Sequence, residues 1–299
     1  MNSMPHANTA SPAIVAESLA LAQQHYENFP VASFILPAHL REPIALIYRF
    51  ARQADDFADE GDLSVAQRLS LLQAFRDELD LLAAYIKPQT DFFLVLGAMI
   101  KAQRLPYRPF YDLLEAFTQD VSKTRYANYA EIEHYCARSA NPIGRLLLAL
   151  YGQASVENTA YSDKICSALQ LINFLQDIHI DLQKNAGQQR LYLCQDEMRA
   201  YAIDEALIQD LSHGRKSTDA HWQAFMAFNL SRAEALLAAG KPLGRLLGGR
   251  IGLEMRMVIA GAECIIRKIK RRKGDVFKHR PKLNFLDWPR LFVIALFKL

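Results

Sequence analysis

Along almost the whole chain apolar residues recur at three- and four-residue spacing, the period of helices rather than of strands. After a polar start the pattern predicts a helix over residues 13–26, broken by Asn28-Phe29-Pro30. A second follows Pro37 and runs through 42–60, and a third covers 63–85 with Lys87-Pro88 as its stop. Helices over 92–104 and 107–120 are separated by Leu105-Pro106. Residues 129–151 read as helical except at Asn141-Pro142, where a proline without an N–H should kink or break the run. A long helix over 162–182 exits into the loop 184–189, and helices over 204–211, 220–239 and 243–273 complete a set of about ten. No Gly/Ser linker, composition shift or repeat period divides the chain. The expectation is one all-α domain over 1–299, with 1–12 disordered and 283–299 a C-terminal tail.

Composition agrees. The chain has 13 glycines and 12 prolines in 299 residues, poor in turn punctuation against an average usage of roughly 12%. Hydrophobic residues make up 51% and charged ones 22%, enough for a sizeable core and too apolar for disorder. Sandwiches, propellers and disulfide-stapled folds are excluded on that basis. Cys136, Cys166, Cys194 and Cys264 form no C-x-x-C and read as reduced, mostly buried thiols of a cytoplasmic protein. The start carries no secretory pattern, and the longest apolar runs, 92–100 and 291–297, are far shorter than a membrane span.

The net charge of +3 conceals an asymmetry. Residues 267–282 hold nine Lys/Arg against one Asp, a local +8 that leaves −5 for the remainder. Beside an apolar tail, such a segment suits contact with anionic lipid, nucleic acid or a polyphosphate; a solvated helix end is the equal alternative. Peripheral contact with an inner membrane is therefore an open expectation.

Two stretches change the picture from fold to chemistry. In Tyr48-Arg49-Phe50-Ala51-Arg52-Gln53-Ala54-Asp55-Asp56-Phe57-Ala58-Asp59-Glu60, Tyr48, Arg52, Asp55 and Asp59 fall on one helix face. In the run from Gln170 to Asp181, Gln170, Asn173, Asp177 and Asp181 do the same, on a helix otherwise rich in Leu, Ile and Phe. A surface helix has a broad polar face. A thin polar line on an apolar helix points to an internal cavity instead. Carboxylates one turn apart repel by about 4 kcal/mol per pair at ~4 Å and an effective dielectric near 20, so a cation should offset them. Mg²⁺, which takes one or two carboxylates plus substrate phosphates, suits two such pairs facing each other. A solvated acidic helix start and a buried polar network are the plain readings of the two stretches taken singly; their shared spacing makes both together much less probable.

The two aspartate motifs, followed by Arg190-Leu191-Tyr192-Leu193, resemble the squalene/phytoene synthase family of head-to-head prenyl synthases. The resemblance runs from Asn28 to about Arg280. The stretches Glu27-Asn28-Phe29-Pro30-Val31-Ala32-Ser33 and Tyr135-Cys136-Ala137-Arg138-Ser139-Ala140-Asn141-Pro142-Ile143-Gly144-Arg145 are most similar to the hydroxysqualene synthase branch, linked to hopanoids. The resemblance implies an isoprenoid-synthase-type helical bundle around a central cavity. It implies Mg²⁺-dependent ionisation of presqualene diphosphate with rearrangement and water capture, giving hydroxysqualene and diphosphate. Condensation of two farnesyl or geranylgeranyl diphosphates is the alternative. It further implies that Asp55, Asp59, Asp177 and Asp181 hold several Mg²⁺ ions, that Arg52 and Tyr48 contact the diphosphate, and that Gln170 and Asn173 line the second motif. Arg190 and Tyr192 match the family's R-x-Y, and Phe29 an aromatic near the cavity mouth. Tyr135, Tyr48 and Asn173 are candidates for placing the attacking water. Two departures stand out: about four extra residues between Asp181 and Arg190, which lengthen the flap over the diphosphate, and Cys194 where many relatives have proline.

No strand-to-helix G-x-G-x-x-G turn is present, and the branch resemblance implies that no NADPH is used. Three other classes fall away. A di-iron bundle needs two Glu-x-x-His motifs and only Glu131-Ile132-Glu133-His134 occurs. Nucleic-acid binding would rest on the basic run alone, and a scaffold needs no aspartate stripes. His179, two residues past Asp177, points off the stripe and reads as structural.

Overall fold

The computed structural model describes residues 10–24, 36–184 and 189–297. In chain order these form Ala10–Gln24 (α1), Ala38–Asp59 (α2), Val65–Ala83 (α3), Asp91–Gln103 (α4), Arg108–Asp120 (α5), the strand Arg125–Tyr126 (β1), Tyr129–Ser139 (α6), Asn141–Leu150 (α7) and Val156–Leu182 (α8). The strand Leu191–Cys194 (β2) follows, then Gln195–Ala200 (α9), Glu205–Ser212 (α10), Ala220–Gly240 (α11), Leu243–Leu246 (α12), Gly249–Arg271 (α13) and Asp287–Phe297 (α14). The all-α expectation holds.

Local chemistry sets the helix ends. Ser64 and Gln67 form a reciprocal capping box at the start of α3, the Ser64 N–H donating to Gln67 Oε1 at 2.9 Å. Asn128, Ser155, Asp204 and Asp219 each accept a backbone N–H of the turn that follows. The expected break at Asn141-Pro142 falls at Ala140, after which Pro142 sits in the first turn of α7, where no N–H is needed. Gly144 then lets α7 lie close on α8, since a Cβ there would stand 2.3 Å from Ser162 Oγ.

Several expectations need correction. Residues 243–273 are not one helix: Gly249, at φ +61°, turns the chain between α12 and α13. The helix expected over 162–182 begins six residues earlier, at Val156, behind its Ser155 cap. Residues 10–12, expected to be disordered, open α1, while 1–9 lie outside the described residues. The tail at 283–299 contains α14. The strands and α9 were not expected; β1 and β2 pair in parallel, the Leu191 N–H donating to the Thr124 carbonyl at 3.0 Å.

The core has two main parts. One gathers α2 to α5, where Phe50 is fully buried against Phe75, Phe93 and Phe110 at centroid distances of 5.6, 6.1 and 5.2 Å. Each such side chain stabilises the fold by about 1.5–3 kcal/mol. The other surrounds α8, α11 and α13, with Trp222 and Phe225 buried inside it. α7 packs on α2 and α5 on one side and on α8 on the other, so it joins the two parts. This arrangement brings the C-terminal halves of α2 and α8, which carry the two polar stripes, toward each other.

Candidate active site

Tyr48, Arg52, Asp55 and Asp59 on α2 are all half-buried, as are Gln170, Asn173, Asp177 and Asp181 on α8. Lys184, just past the end of α8, joins the stripes: its Nζ lies 2.6 Å from Asp59 Oδ2 and 3.6 Å from Asp181 Oδ1. Arg190 donates from Nη2 to the other Asp59 oxygen. Arg280 holds Asp177 through two parallel bonds, from Nε to Oδ1 and from Nη2 to Oδ2, the second at 2.9 Å. Arg52 leans off the stripe, 2.8 Å from Asp56 Oδ1 and 3.9 Å from Asp55 Oδ2.

These contacts divide the carboxyls. Burial alone would raise Asp59, yet Arg190 and Lys184 outweigh it and hold the group below the ordinary carboxylate range. Asp181 is pushed up to about 6 by burial, with Lys184 opposing and Asp177 adding to the rise. Asp55 keeps 39% of its side chain open to solvent, but the surrounding walls and then Asp59 still push its carboxyl up.

The β1–β2 ladder fixes the next layer. By pairing Leu191 with Arg125 it seats Arg190 and Tyr192 beside the C-terminus of α5. There Arg190 donates from Nε to the Asp120 carbonyl at 3.1 Å and from Nη1 to Tyr192 Oη at 3.2 Å. The Asp120 carboxylate, buried, accepts from Tyr135 Oη at 2.5 Å and from Tyr192 Oη at 3.1 Å. Burial pushes it up to about 7 against the pull of Arg190 and Tyr135. Tyr192 stacks flat on Phe174 at 4.1 Å and 6° between planes, and Tyr126 and Tyr135 stand 5.5 and 5.4 Å from it. A ring wall therefore adjoins the charged cluster. Asn173, with Gln176, lines a cavity of about 10 Å³ between α8 and α13 that Leu169, Ile172, Gly261 and Leu283 complete. Gln176 is tied to the Pro281 carbonyl.

The structure thus brings together Asp55, Asp59, Asp177, Asp181, Arg190 and Tyr192, and places Tyr135 one hydrogen bond behind Asp120. The expected longer flap leaves Arg190 in reach of Asp59 despite Cys194; its residues 185–188, like Phe29, lie outside the described residues. His179 is structural, its Nδ1 2.8 Å from Ser212 Oγ. Sequence reasoning missed Asp120, Lys184 and Arg280. An acid in the last turn of a helix opposes the macrodipole, and that was the one signal for Asp120. Arg280 was hidden in the basic run, which the structure shows to be partly committed: Lys270 pairs with Glu234 and Lys268 with Asp287.

The donor set fits a hard divalent cation. Facing carboxylate pairs, with Asp55 and Asp181 held up until positive charge offsets them, are what an ion taking one or two carboxylates plus phosphate oxygens requires. Among the described residues, the three-ligand group within reach of a single ion is elsewhere, at Cys194, Asp196 and Glu197. It is a poor site. The Cys194 thiol is pushed up to about 12, first by burial and then by Glu197, so it offers no thiolate near neutral pH.

Comparison with known proteins shows the family and the fold. The squalene/phytoene synthase family profile matches residues 22–287. A hydroxysqualene synthase of Rhodopseudomonas palustris is 35% identical over 272 residues, 91% of this chain and 87% of that protein. The crystal structure of squalene synthase HpnC from Alicyclobacillus acidocaldarius superposes with a TM-score of 0.75 at 30% identity, covering 88% of this chain and 97% of that one. A dehydrosqualene synthase solved with a ligand shares the fold, with a TM-score of 0.83 at 18% identity over 96% of each chain.

Proposed function

The chain belongs to the squalene/phytoene synthase family, and from that premise we propose that it ionises presqualene diphosphate and ends the reaction with water, releasing hydroxysqualene and diphosphate. The observation that carries the reading is the convergence of Asp59 and Asp181, from two different helices, on one cation at Lys184, beside the ring wall of Tyr126, Tyr135, Phe174 and Tyr192. The hydroxysqualene synthase from R. palustris supports the choice of branch.

In this reading the carbon–oxygen bond of the substrate breaks heterolytically and the electron pair leaves with the diphosphate. Asp55, Asp59, Asp177 and Asp181 would hold Mg²⁺, which when bound supplies neutralising charge to that leaving group. Arg190, Lys184 and Arg280 direct their N–H donors into the same cluster and meet the charge as it develops. The carbocation is left against the ring wall, where π-faces stabilise positive charge and keep bulk water out. The cyclopropylcarbinyl cation then rearranges, one water adds to carbon as a ring carbon–carbon bond opens, and the added water gives up its proton. Tyr135 donates to Asp120, already raised to about 7, so this pair can receive a proton near neutral pH. No nicotinamide enters the scheme.

The test is to incubate pure protein and Mg²⁺ separately with presqualene diphosphate and with farnesyl diphosphate, without NADPH. Presqualene diphosphate alone should be consumed, giving a C30 alcohol that carries ¹⁸O from labelled water, and EDTA should stop it. Turnover of farnesyl diphosphate alone, with a cyclopropyl diphosphate or polyene product, would replace this reading with the condensing one.

A further inference from the structure

α14 is apolar on two opposite faces. Leu291 and Ala295, with Trp288 and Ile294, pack on Ala260 and Cys264 of α13. Arg256 fixes the end of the helix, donating from Nε to the Ala295 carbonyl at 2.7 Å. Asp287 fixes its start, accepting from Lys268 Nζ at 2.5 Å and from the Asn284 N–H at 2.8 Å. The opposite face should be polar on an ordinary surface helix. Instead it carries Phe292, Val293, Leu296 and Phe297, and the preceding turn adds Phe285 and Leu286, which are 84% and 82% exposed.

The charge around this face is one-signed. From Val276 to the end of the chain the single acid is Asp287, already neutralised by Lys268. Lys282 and Arg290 are exposed at its border, and Arg271, one helical turn beyond Lys268, is exposed as well. Among the described residues none of these three has an ion-pair partner. A second copy of the chain docked through a twofold axis would set this basic border against itself. An anionic bilayer accepts both halves of the pattern, apolar side chains below the headgroups and cations among them. The segment that leads into this face starts in the core, since Leu283, two residues before Phe285, lines the small cavity between α8 and α13. No helix among the described residues is long and apolar enough to cross a membrane, so the contact would be with one leaflet.

We propose that α14, with Phe285 and Leu286, is an interfacial helix that seats the protein on anionic lipid. The docking stands on this face alone and does not depend on the reaction proposed above.

The experiment is co-sedimentation of the full chain with phosphatidylglycerol-rich vesicles and with neutral phosphatidylcholine vesicles. Wild type should pellet with the first and much less with the second. Phe285→Ser with Leu286→Ser should lower the partition coefficient by at least about a hundredfold. Lys282→Gln with Arg290→Gln should lower it about 25-fold, from roughly fivefold per basic residue. Salt at ~1 M, where the Debye length is about 3 Å, should act like the charge variants. Because these positions are exposed, circular dichroism of both variants should match wild type. Wild type remaining in the supernatant with phosphatidylglycerol would overturn the proposal. So would a concentration-dependent dimer in ultracentrifugation that Phe285→Ser abolishes, since the face would then join two copies. Vesicle binding without turnover of presqualene diphosphate would sink the reaction and leave the docking intact.

Discussion

Glu254 sits on α13 with 9% of its surface exposed, and its Oε2 has no hydrogen-bond partner among the described residues. Burial is the cause of a rise from the ordinary 4.5 to about 8. Its neighbour Tyr151 is raised as well, by burial first and by Glu254 second. The consequence for stability has a definite sign. A carboxyl whose folded pKa exceeds its unfolded one binds its proton more tightly in the native state, so stability is fullest below pH 4.5 and declines as pH rises to about 8. The slope is about 1.4 kcal/mol per pH unit, which makes the loss about 3 kcal/mol at pH 7.

Glu254→Gln removes the titration while keeping size and polarity. Urea unfolding of wild type and variant across pH 5 to 8 should give curves that nearly coincide at the acid end. They should then diverge by about 1.4 kcal/mol per unit, the variant being the more stable by about 2–4 kcal/mol at neutral pH. Glu254→Leu should gain further, because it also removes the unpaired acceptor. A constant offset between wild type and Glu254→Gln at every pH would refute the reasoning, since it would mean that the carboxyl is ionised and compensated in the folded protein. A group kept at this cost to stability is the kind that sites retain.

Three further outcomes follow from the same geometry. Asp59→Asn leaves Arg190 and Lys184 facing each other without their shared counter-charge; it should cost about 3–5 kcal/mol in urea unfolding and abolish diphosphate release, and a fully stable, active variant would show that the pairing has no weight. A double-mutant cycle of Asp120→Asn and Tyr135→Phe should return a coupling of about 1.5–3 kcal/mol for their 2.5 Å hydrogen bond, whereas additive effects would mean that it contributes nothing. Gly252→Ala places a Cβ 1.5 Å from the Leu247 carbonyl oxygen and should cost about 3 kcal/mol or more by thermal or urea unfolding, with an unchanged melting curve counting against the tight α12–α13 bend.

Helical periodicity made most of this fold legible, because a long helix repeats its signal over several turns. The break before Asn141-Pro142 was visible for the same reason: proline states a backbone rule in one letter. What failed was short or ambiguous. Leu191 to Cys194 is four residues, too few to separate period two from a buried run, and its partner β1 is two residues long. α14 escaped because it is only 11 residues long and its outer face carries Phe292, Val293, Leu296 and Phe297 in place of polar residues; beside a basic run so short an apolar stretch reads as a tail. The turn at Gly248-Gly249 lay in plain view within 243–273, since a Gly-Gly pair marks a turn, but the helical spacing on both sides of it masked the break.

The candidate site shows the same division one level up. The stripes Tyr48/Arg52/Asp55/Asp59 and Gln170/Asn173/Asp177/Asp181 were readable because spacing along one helix determines which residues share a face. Spacing is silent on what the face meets. Arg280 lies 103 residues from Asp177 and Arg190 lies 131 from Asp59, so nothing local distinguishes either from a solvated arginine. Yet the repulsion within each aspartate pair, about 4 kcal/mol in a partly buried setting, already requires cations from somewhere. The pairs therefore predict that compensating charge exists, and the fold decides which arginines and lysines supply it. Arg190 is delivered by the register of a four-residue strand, Lys184 by the end of α8, and Arg280 by the segment that runs on into α14. The same segment that neutralises Asp177 thus leads directly to the exposed apolar face, so a substitution at Arg280 acts on the charge cluster while one at Phe285 acts on lipid contact, and the two effects can be separated within six residues of chain.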